Sequence, residues 1–126
     1  IRKWADALST RRNIGLALPV VDEPRRPLSY RHWQLGAKMT RGFWNIPGPE
    51  DTTIVEPDIV IAPLVGCWGK YRLGYGGGYF DRTLASRNPR PFVVGIGFES
   101  CRLNEFTPLP HDIPMDVIVT DETIDR

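Results

Sequence analysis

Cysteine is scarce in this chain, and its scarcity excludes two common architectures. The 126 residues include only Cys67 and Cys101. Two cysteines so far apart provide neither the closely spaced ligand pairs of a zinc site nor the framework of a disulfide-rich secreted domain. The composition therefore predicts a protein of the reducing cytoplasm, with both thiols packed or incidental, and we assign neither a role.

A long apolar run and a strong charge of either sign are also missing. The longest apolar stretch, 59–68, is interrupted by Pro63 and falls well short of the roughly 20 residues of a membrane-spanning helix. Residues 1–10 are amphipathic and lack the apolar centre of a secretory signal. The formal net charge of +1 gives no general signal for polyanion binding. We therefore expect neither a membrane nor a nucleic acid as a partner.

Apolar periodicity predicts strands that alternate with helices. The predicted helices are 1–10 and 79–87, and the predicted strands are 14–21, a short edge strand within 27–33, then 58–65, 91–98 and 115–120. Residues 36–53 are rich in Gly and Pro and are predicted to form a binding loop. The near-continuous apolar runs are typical of strands that are covered on both faces. A chain of 126 residues has room for one core, so we expect a single domain, residues 1–126, with a three-layer α/β/α fold and a largely parallel sheet.

The most informative segment is the glycine-rich run between Arg72 and Arg82. Four of the five residues from Gly74 to Gly78 are glycine, and the run lies between a predicted strand and a predicted helix. Exposed backbone N–H groups at a helix start favour anions, and the flanking arginines are suited to phosphate. A tight turn is the competing interpretation. The run matches neither the Walker A motif nor the G-x-G-x-x-G spacing, which would require glycine at Tyr79.

Three segments in the same order resemble the 5-formyltetrahydrofolate cyclo-ligase family. The run 72–81 is similar to the family signature R-L-G-x-G-x-G-Y-Y-D, with Phe80 in place of the second tyrosine. The segments 43–49 and 111–120 are similar to two further family motifs. The resemblance extends over most of the chain, from about residue 13 to residue 122.

This resemblance implies an activity, its cofactors and a set of site residues. The implied reaction is the ATP- and Mg²⁺-dependent closure of 5-formyltetrahydrofolate, a reduced folate, to 5,10-methenyltetrahydrofolate, with release of ADP and phosphate. Arg72 and Tyr79 are the implied catalytic residues, and Asp81 and Asp112 the implied metal ligands. The implied nucleotide-binding residues are Arg72, Leu73, Gly74, Tyr75, Gly76, Gly77, Gly78, Tyr79 and Phe80. The implied folate contacts are Trp44, Tyr75, Gly76, Gly77, Gly78 and Tyr79, and a monomer is expected.

Several of these residues have simpler interpretations. Asp81 falls in the first turn of the predicted helix, where a carboxylate favours the helix dipole without any metal. Asp112 lies in a segment where Asx turns are common. Trp44 is a stacking surface for a flat ring or else a core anchor. His111 is a proton carrier or a structural hydrogen-bonding group.

Two departures from the family pattern leave other functions open. The approach to the signature, 66–72, is one residue shorter than in the family and lacks its Phe-Asp pair. Family members also carry an N-terminal segment, with a Lys and an Arg for ATP and a Glu for folate, before the point that matches the start of this chain. We therefore expect an N-terminally incomplete cyclo-ligase domain. The alternatives are a non-catalytic nucleotide-binding module and an α/β enzyme that acts on a sugar phosphate.

Overall fold

The computed structural model describes residues 2–74 and 77–126. Its backbone contacts divide the chain between Pro57 and Asp58 into two compact units. Neither helix found in the described ranges is long and apolar enough to cross a membrane. The implied site residues Tyr75 and Gly76 lie outside the described residues.

The first unit contains, in its described residues, one α-helix, one short 3-10 helix (Phe43–Asn45) and two antiparallel sheets. Its elements are α1 (Arg2–Arg12), β1 (Leu16–Val20), β2 (Ser29–Trp33), β3 (Met39–Arg41), β4 (Pro47–Pro49) and β5 (Ile54–Val55). β2 pairs antiparallel with β1 on one side and with the two-residue β5 on the other. The segment 27–33 was predicted as an edge strand, and this was wrong, because β5 makes β2 the central strand. The side chains of Leu28, Tyr30 and Trp33 are buried.

Residues 36–53 hold a β-hairpin, although no regular element was predicted there. β3 and β4 pair from Met39 with Pro49 to Arg41 with Pro47. Backbone hydrogen bonds join Gly42 N to Ile46 O and Glu50 N to Lys38 O. Since bonded positions alternate along an antiparallel strand, both prolines of β4 fall where no N–H is needed.

The second unit contains the predicted parallel strands. Its elements are β6 (Ile59–Pro63), β7 (Gly66–Trp68), β8 (Tyr71–Leu73), α2 (Tyr79–Ala85), β9 (Phe92–Ile96), β10 (Val117–Val119) and β11 (Ile124–Asp125). The sheet order is β11-β10-β9-β6, and β9 pairs parallel with both β6 and β10. The β–α–β unit β6-α2-β9 agrees with the sequence prediction. Among the strands of the described residues, parallel pairing joins these three, so a largely parallel sheet describes the second unit and not the antiparallel first one.

The core of the second unit lies on one face of this sheet. Along β6, Val60 and Ala62 are buried, whereas Ile59 is 64% exposed and Ile61 is also exposed. Leu84 of α2 and Ala62 of β6 belong to the same buried cluster. The prediction that both faces are covered therefore does not hold for β6 within the described residues, where burial alternates with a period of two.

Two glycines in and after β9 make this packing possible. A Cβ atom at Gly95 would lie 2.8 Å from Ile118 Cδ1, and one at Gly97 would overlap with the side chain of Leu64. Cys67 is fully buried in the same core, and burial raises the pKa of its thiol. Cys101 packs against that core and is partly buried. The expectation that both thiols are packed is thus confirmed.

Candidate functional site

A cleft of about 350 Å³ in the second unit contains most of the residues singled out in the sequence. It is lined by three stretches of chain: the end of β8 with the loop into α2, the segment around Phe106, and the turn at His111. The sequence-predicted residues on its wall are Arg72, Leu73, Gly74, Gly77, Gly78, Tyr79, Phe80, Asp81 and Asp112. The topology thus gathers an arginine, glycine backbone and two carboxylates around one space.

Three features fix the position of the Arg72 side chain: a hydrogen bond to backbone, a contact with an aromatic ring, and the space left free at Gly74. Its Nε donates a 2.6 Å hydrogen bond to Pro63 O at the end of β6. Its guanidinium lies 4.6 Å from the centre of the Phe80 ring. A Cβ atom on Gly74 would lie 2.6 Å from both Nη atoms. Gly74 therefore has to be glycine for the arginine to lie over the loop backbone.

The start of α2 depends on two further glycines. Gly78 is the N-cap residue and has a φ of 67°, in the left-handed region that glycine adopts without strain. A Cβ atom on Gly77 would lie 2.8 Å from Cδ2 of Tyr79. The Tyr79 ring thus packs directly over the Gly77 backbone, and this contact fixes the wall of the cleft.

The two acids are tied to the turn at residues 109–113. Asp81 Oδ1 accepts a 2.9 Å hydrogen bond from Ile113 N, which joins the first turn of α2 to this turn. Asp112 Oδ2 accepts a 2.7 Å bond from Leu109 N, and its side chain is 16% exposed. His111 Nε2 lies 3.7 Å from Asp112 Oδ1 and is largely exposed. Each carboxylate thus has a structural role through one hydrogen bond and also lines the cleft.

The described residues contain no group of three or more His, Cys, Asp or Glu that could hold a metal by protein ligands alone. A Mg²⁺ site does not require one, because Mg²⁺ typically uses one or two carboxylates together with phosphate oxygens and water. Each acid commits one oxygen to a backbone N–H. The donor set therefore fits magnesium in the presence of a nucleotide.

Sequence reasoning missed the apolar side of the cleft. Phe106, Thr107 and Leu109 line it, and the Phe106 ring lies 6.4 Å from the ring of Tyr71. The usable signal was position, because these residues follow β9 and directly precede the His111-Asp112 motif. Ligand crevices of parallel sheets form beyond the carboxyl ends of the strands.

Trp44 belongs to the first unit, at the tip of the β3–β4 hairpin. It has a φ of 51° and its ring is 60% exposed, with the Phe43 ring at 5.1 Å in an edge-on arrangement. An exposed ring at a hairpin tip contradicts the core-anchor interpretation. It leaves the ring face as a surface on which a flat molecule can stack.

A second cleft, of about 370 Å³, lies within the first unit. His32 Nδ1 is 3.2 Å from Asp51 Oδ2 on its wall, and Lys38 and Glu50 also line it. Hydrogen bonds from Thr53, followed by one from His32, lower the pKa of Asp51. The sequence analysis singled out none of these residues.

The fold and the cleft together define an α/β protein with a glycine-rich, arginine-flanked loop facing two carboxylates. The profile of the 5-formyltetrahydrofolate cyclo-ligase family matches residues 7–121, and the chain belongs to this family. The resemblance seen in three short motifs is thereby confirmed over nearly the whole chain.

Curated relatives carry the same name. The chain is 36% identical over 77 residues to a 5-formyltetrahydrofolate cyclo-ligase of Mycoplasma pneumoniae, covering 58% of this chain and 46% of the relative. It is 41% identical over 68 residues to that of Haemophilus influenzae, covering 51% and 36%.

Solved structures agree. The NMR structure of the Aquifex aeolicus 5,10-methenyltetrahydrofolate synthetase matches with a TM-score of 0.69 and 26% identity, over 98% of this chain and 62% of that one. The M. pneumoniae synthetase matches in fold, with a TM-score of 0.72 and 24% identity, over 96% of this chain and 64% of that one. In these four comparisons the chain thus spans between 36% and 64% of the length of the matched protein.

Proposed function

We propose that the protein converts 5-formyltetrahydrofolate to 5,10-methenyltetrahydrofolate in a reaction that requires ATP and Mg²⁺ and releases ADP and phosphate. The observation that carries this proposal is a single cleft, in a chain of the cyclo-ligase family, that combines Arg72, glycine backbone, Asp81 and Asp112. Such a set suits phosphoryl transfer, which needs alignment and charge neutralisation more than a protein nucleophile.

The nucleotide phosphates are proposed to lie along the loop from Arg72 to Phe80. Arg72 brings its positive charge over the backbone at Gly74, where no side chain separates it from a bound phosphate. The bond to Pro63 O fixes the guanidinium before any ligand arrives. Prior fixation of this kind lowers the entropy that binding has to overcome. Tyr75 and Gly76 belong to the same proposed loop.

Asp81 and Asp112 are the proposed magnesium ligands. Their bonds to Ile113 N and Leu109 N orient both carboxylates. Magnesium would neutralise phosphate charge during transfer. The two acids are proposed to bind the magnesium ion through the carboxylate oxygens that make no bond to Ile113 N or Leu109 N.

The reduced folate is proposed to contact Trp44 and the stretch from Tyr75 to Tyr79. A pterin ring is flat, and the exposed Trp44 ring is a suitable stacking partner. Tyr79, packed over Gly77, presents a fixed ring at the cleft. Tyr79 is therefore proposed to act between nucleotide and folate.

We infer a cytoplasmic monomer with one three-layer α/β/α domain. The parallel strands β6, β9 and β10 support the layered arrangement. The two free cysteines support the compartment.

The test is an absorbance assay for the methenyl product with 5-formyltetrahydrofolate, ATP and Mg²⁺, run on residues 1–126 and on an N-terminally extended form. Turnover that needs both ATP and Mg²⁺, in either form, would support the proposal. Nucleotide binding without turnover in both forms would instead identify a non-catalytic module. Failure of both forms to bind ATP would refute the nucleotide site.

A further inference from the structure

Arg82 packs behind the glycine-rich loop and not into the cleft. Its Nη2 donates a 3.4 Å hydrogen bond to Gly77 O, and its guanidinium lies 5.4 Å from the centre of the Tyr79 ring. Nη2 is also 3.6 Å from the point where a Cβ atom of Gly78 would be. One guanidinium thus contacts Gly77 and Tyr79 and lies beside Gly78, and all three of these residues line the cleft.

Arg82 itself is not among the residues on the cleft wall. From the sequence it was expected to offer its fork-shaped donors to phosphate, as Arg72 does. The structure separates the two arginines: Arg72 lies over the Phe80 ring and lines the cleft, whereas Arg82 lies over the Tyr79 ring and does not line it. Each of the two consecutive aromatic residues, Tyr79 and Phe80, is thus in contact with one guanidinium.

Hydrogen bonding alone does not explain why the Arg82 guanidinium lies where it does. Its Nη1 is buried and has no partner in the part of the chain that the structure describes. A buried N–H without an acceptor is unfavourable. The contacts that retain the side chain there are those with Gly77, Gly78 and Tyr79, which are the contacts that shape the cleft wall.

We propose that Arg82 is a positioning residue for the proposed nucleotide site, holding Gly77, Gly78 and Tyr79 in the arrangement that ATP requires. It acts through the loop backbone and the Tyr79 ring, without touching the ligand. The inference rests on the proposed function for its ligand, while the local ordering of the loop is a property of the protein without ligand. A planar guanidinium is needed both to stack on a ring and to donate along its edge.

The decisive variants are Arg82→Met, which keeps the length of the stem, and Arg82→Lys, which keeps the charge but loses the planar fork. In the ligand-free protein, the protection of the residue 82 amide against hydrogen–deuterium exchange, which its bond to Gly78 O provides, should fall about tenfold in Arg82→Met and less in Arg82→Lys. Exchange in β6 and β9 should stay unchanged, which a general folding defect would not allow. Arg26→Met, at an exposed arginine of the first unit, is the control.

With ligand, the KM for ATP should rise about tenfold in Arg82→Met, and the KM for the folate should rise as well, because Gly77, Gly78 and Tyr79 are also proposed folate contacts. Unchanged protection of the residue 82 amide in both variants would overturn the inference, as would an unchanged KM for ATP in Arg82→Met. If the unaltered protein binds no ATP, the proposed function fails. The exchange measurement then still decides whether Arg82 orders the loop.

Discussion

The two clefts of this chain are almost equal in size, at about 370 and 350 Å³, yet they differ in what forms their walls. The first-unit cleft presents charged and polar side chains, with the His32–Asp51 pair at 3.2 Å. The second-unit cleft presents glycine backbone, aromatic rings and two carboxylates oriented by backbone N–H groups. Volume therefore does not identify a nucleotide site. What distinguishes the proposed nucleotide site is fixed backbone next to an arginine, and each variant below tests this difference.

The largest expected effect is that of Asp81→Asn in the second cleft. Asparagine keeps an oxygen that can accept the bond from Ile113 N, so the fold should survive while the charge is lost. Turnover should fall about 100-fold or more, and its Mg²⁺ dependence should weaken. Steady-state rates across a magnesium titration measure both. Unchanged turnover with unchanged magnesium dependence would make a ligand role untenable.

Gly77→Ala should come next, because it adds a methyl group 2.8 Å from the Tyr79 ring. The ring or the loop has to move, and ATP affinity should fall about tenfold. Gly15→Ala is the matched control, since no heavy atom lies within 4 Å of its added Cβ. Calorimetric titration with ATP compares them. Equal affinity for both variants would show that backbone packing is not what defines the second cleft.

Trp44→Leu tests a contact that neither cleft contains. Loss of the stacking surface should raise the KM for the folate about fivefold and leave the KM for ATP unchanged. The melting temperature should hardly change, because the ring is 60% exposed. A large drop in melting temperature with an unaltered KM would restore the core-anchor interpretation.

The smallest effect is expected for Asp51→Asn in the first cleft. The folded-state pKa of Asp51 is depressed, so its stabilising contribution is present above the ordinary Asp pKa of about 3.9. It is lost as the pH falls through the folded-state value. The variant should therefore melt slightly lower than the unaltered protein at pH 7, and the difference should vanish in strong acid. Cyclisation rates at pH 7 should be the same, and a large loss of turnover would give the first cleft a catalytic role.

The sequence predicted the elements whose apolar runs are continuous. β6, β9 and α2 were found within a few residues because apolar segments next to a glycine-rich turn have few alternative structures. The hairpin of β7 and β8 was missed because Gly66, Cys67 and Trp68 show no clear alternation. Its two-residue Gly69-Lys70 connection, with Gly69 at a φ of 56°, was the available signal.

The site was predictable where it depends on local sequence and not where it depends on contacts distant in sequence. Arg72, Gly74 and Asp81 fall within one motif, and the structure places them on one wall. The bond from Asp81 to Ile113 joins residues 32 positions apart, and no periodicity reveals it. The positioning role proposed for Arg82 was not predicted for the same reason, because sequence spacing does not tell which residues a side chain contacts.

The glycines at positions 95 and 97 leave no room for a side chain, and this limits which substitutions the strand tolerates. Gly95-Ile96-Gly97 at the end of an apolar strand looks like the first half of a dinucleotide motif, although Ser100 stands where that motif has its third glycine. Here both positions are glycine to make room for Ile118 and Leu64. A saturation library should find these two sites among the least permissive of the chain, although no ligand comes into the explanation.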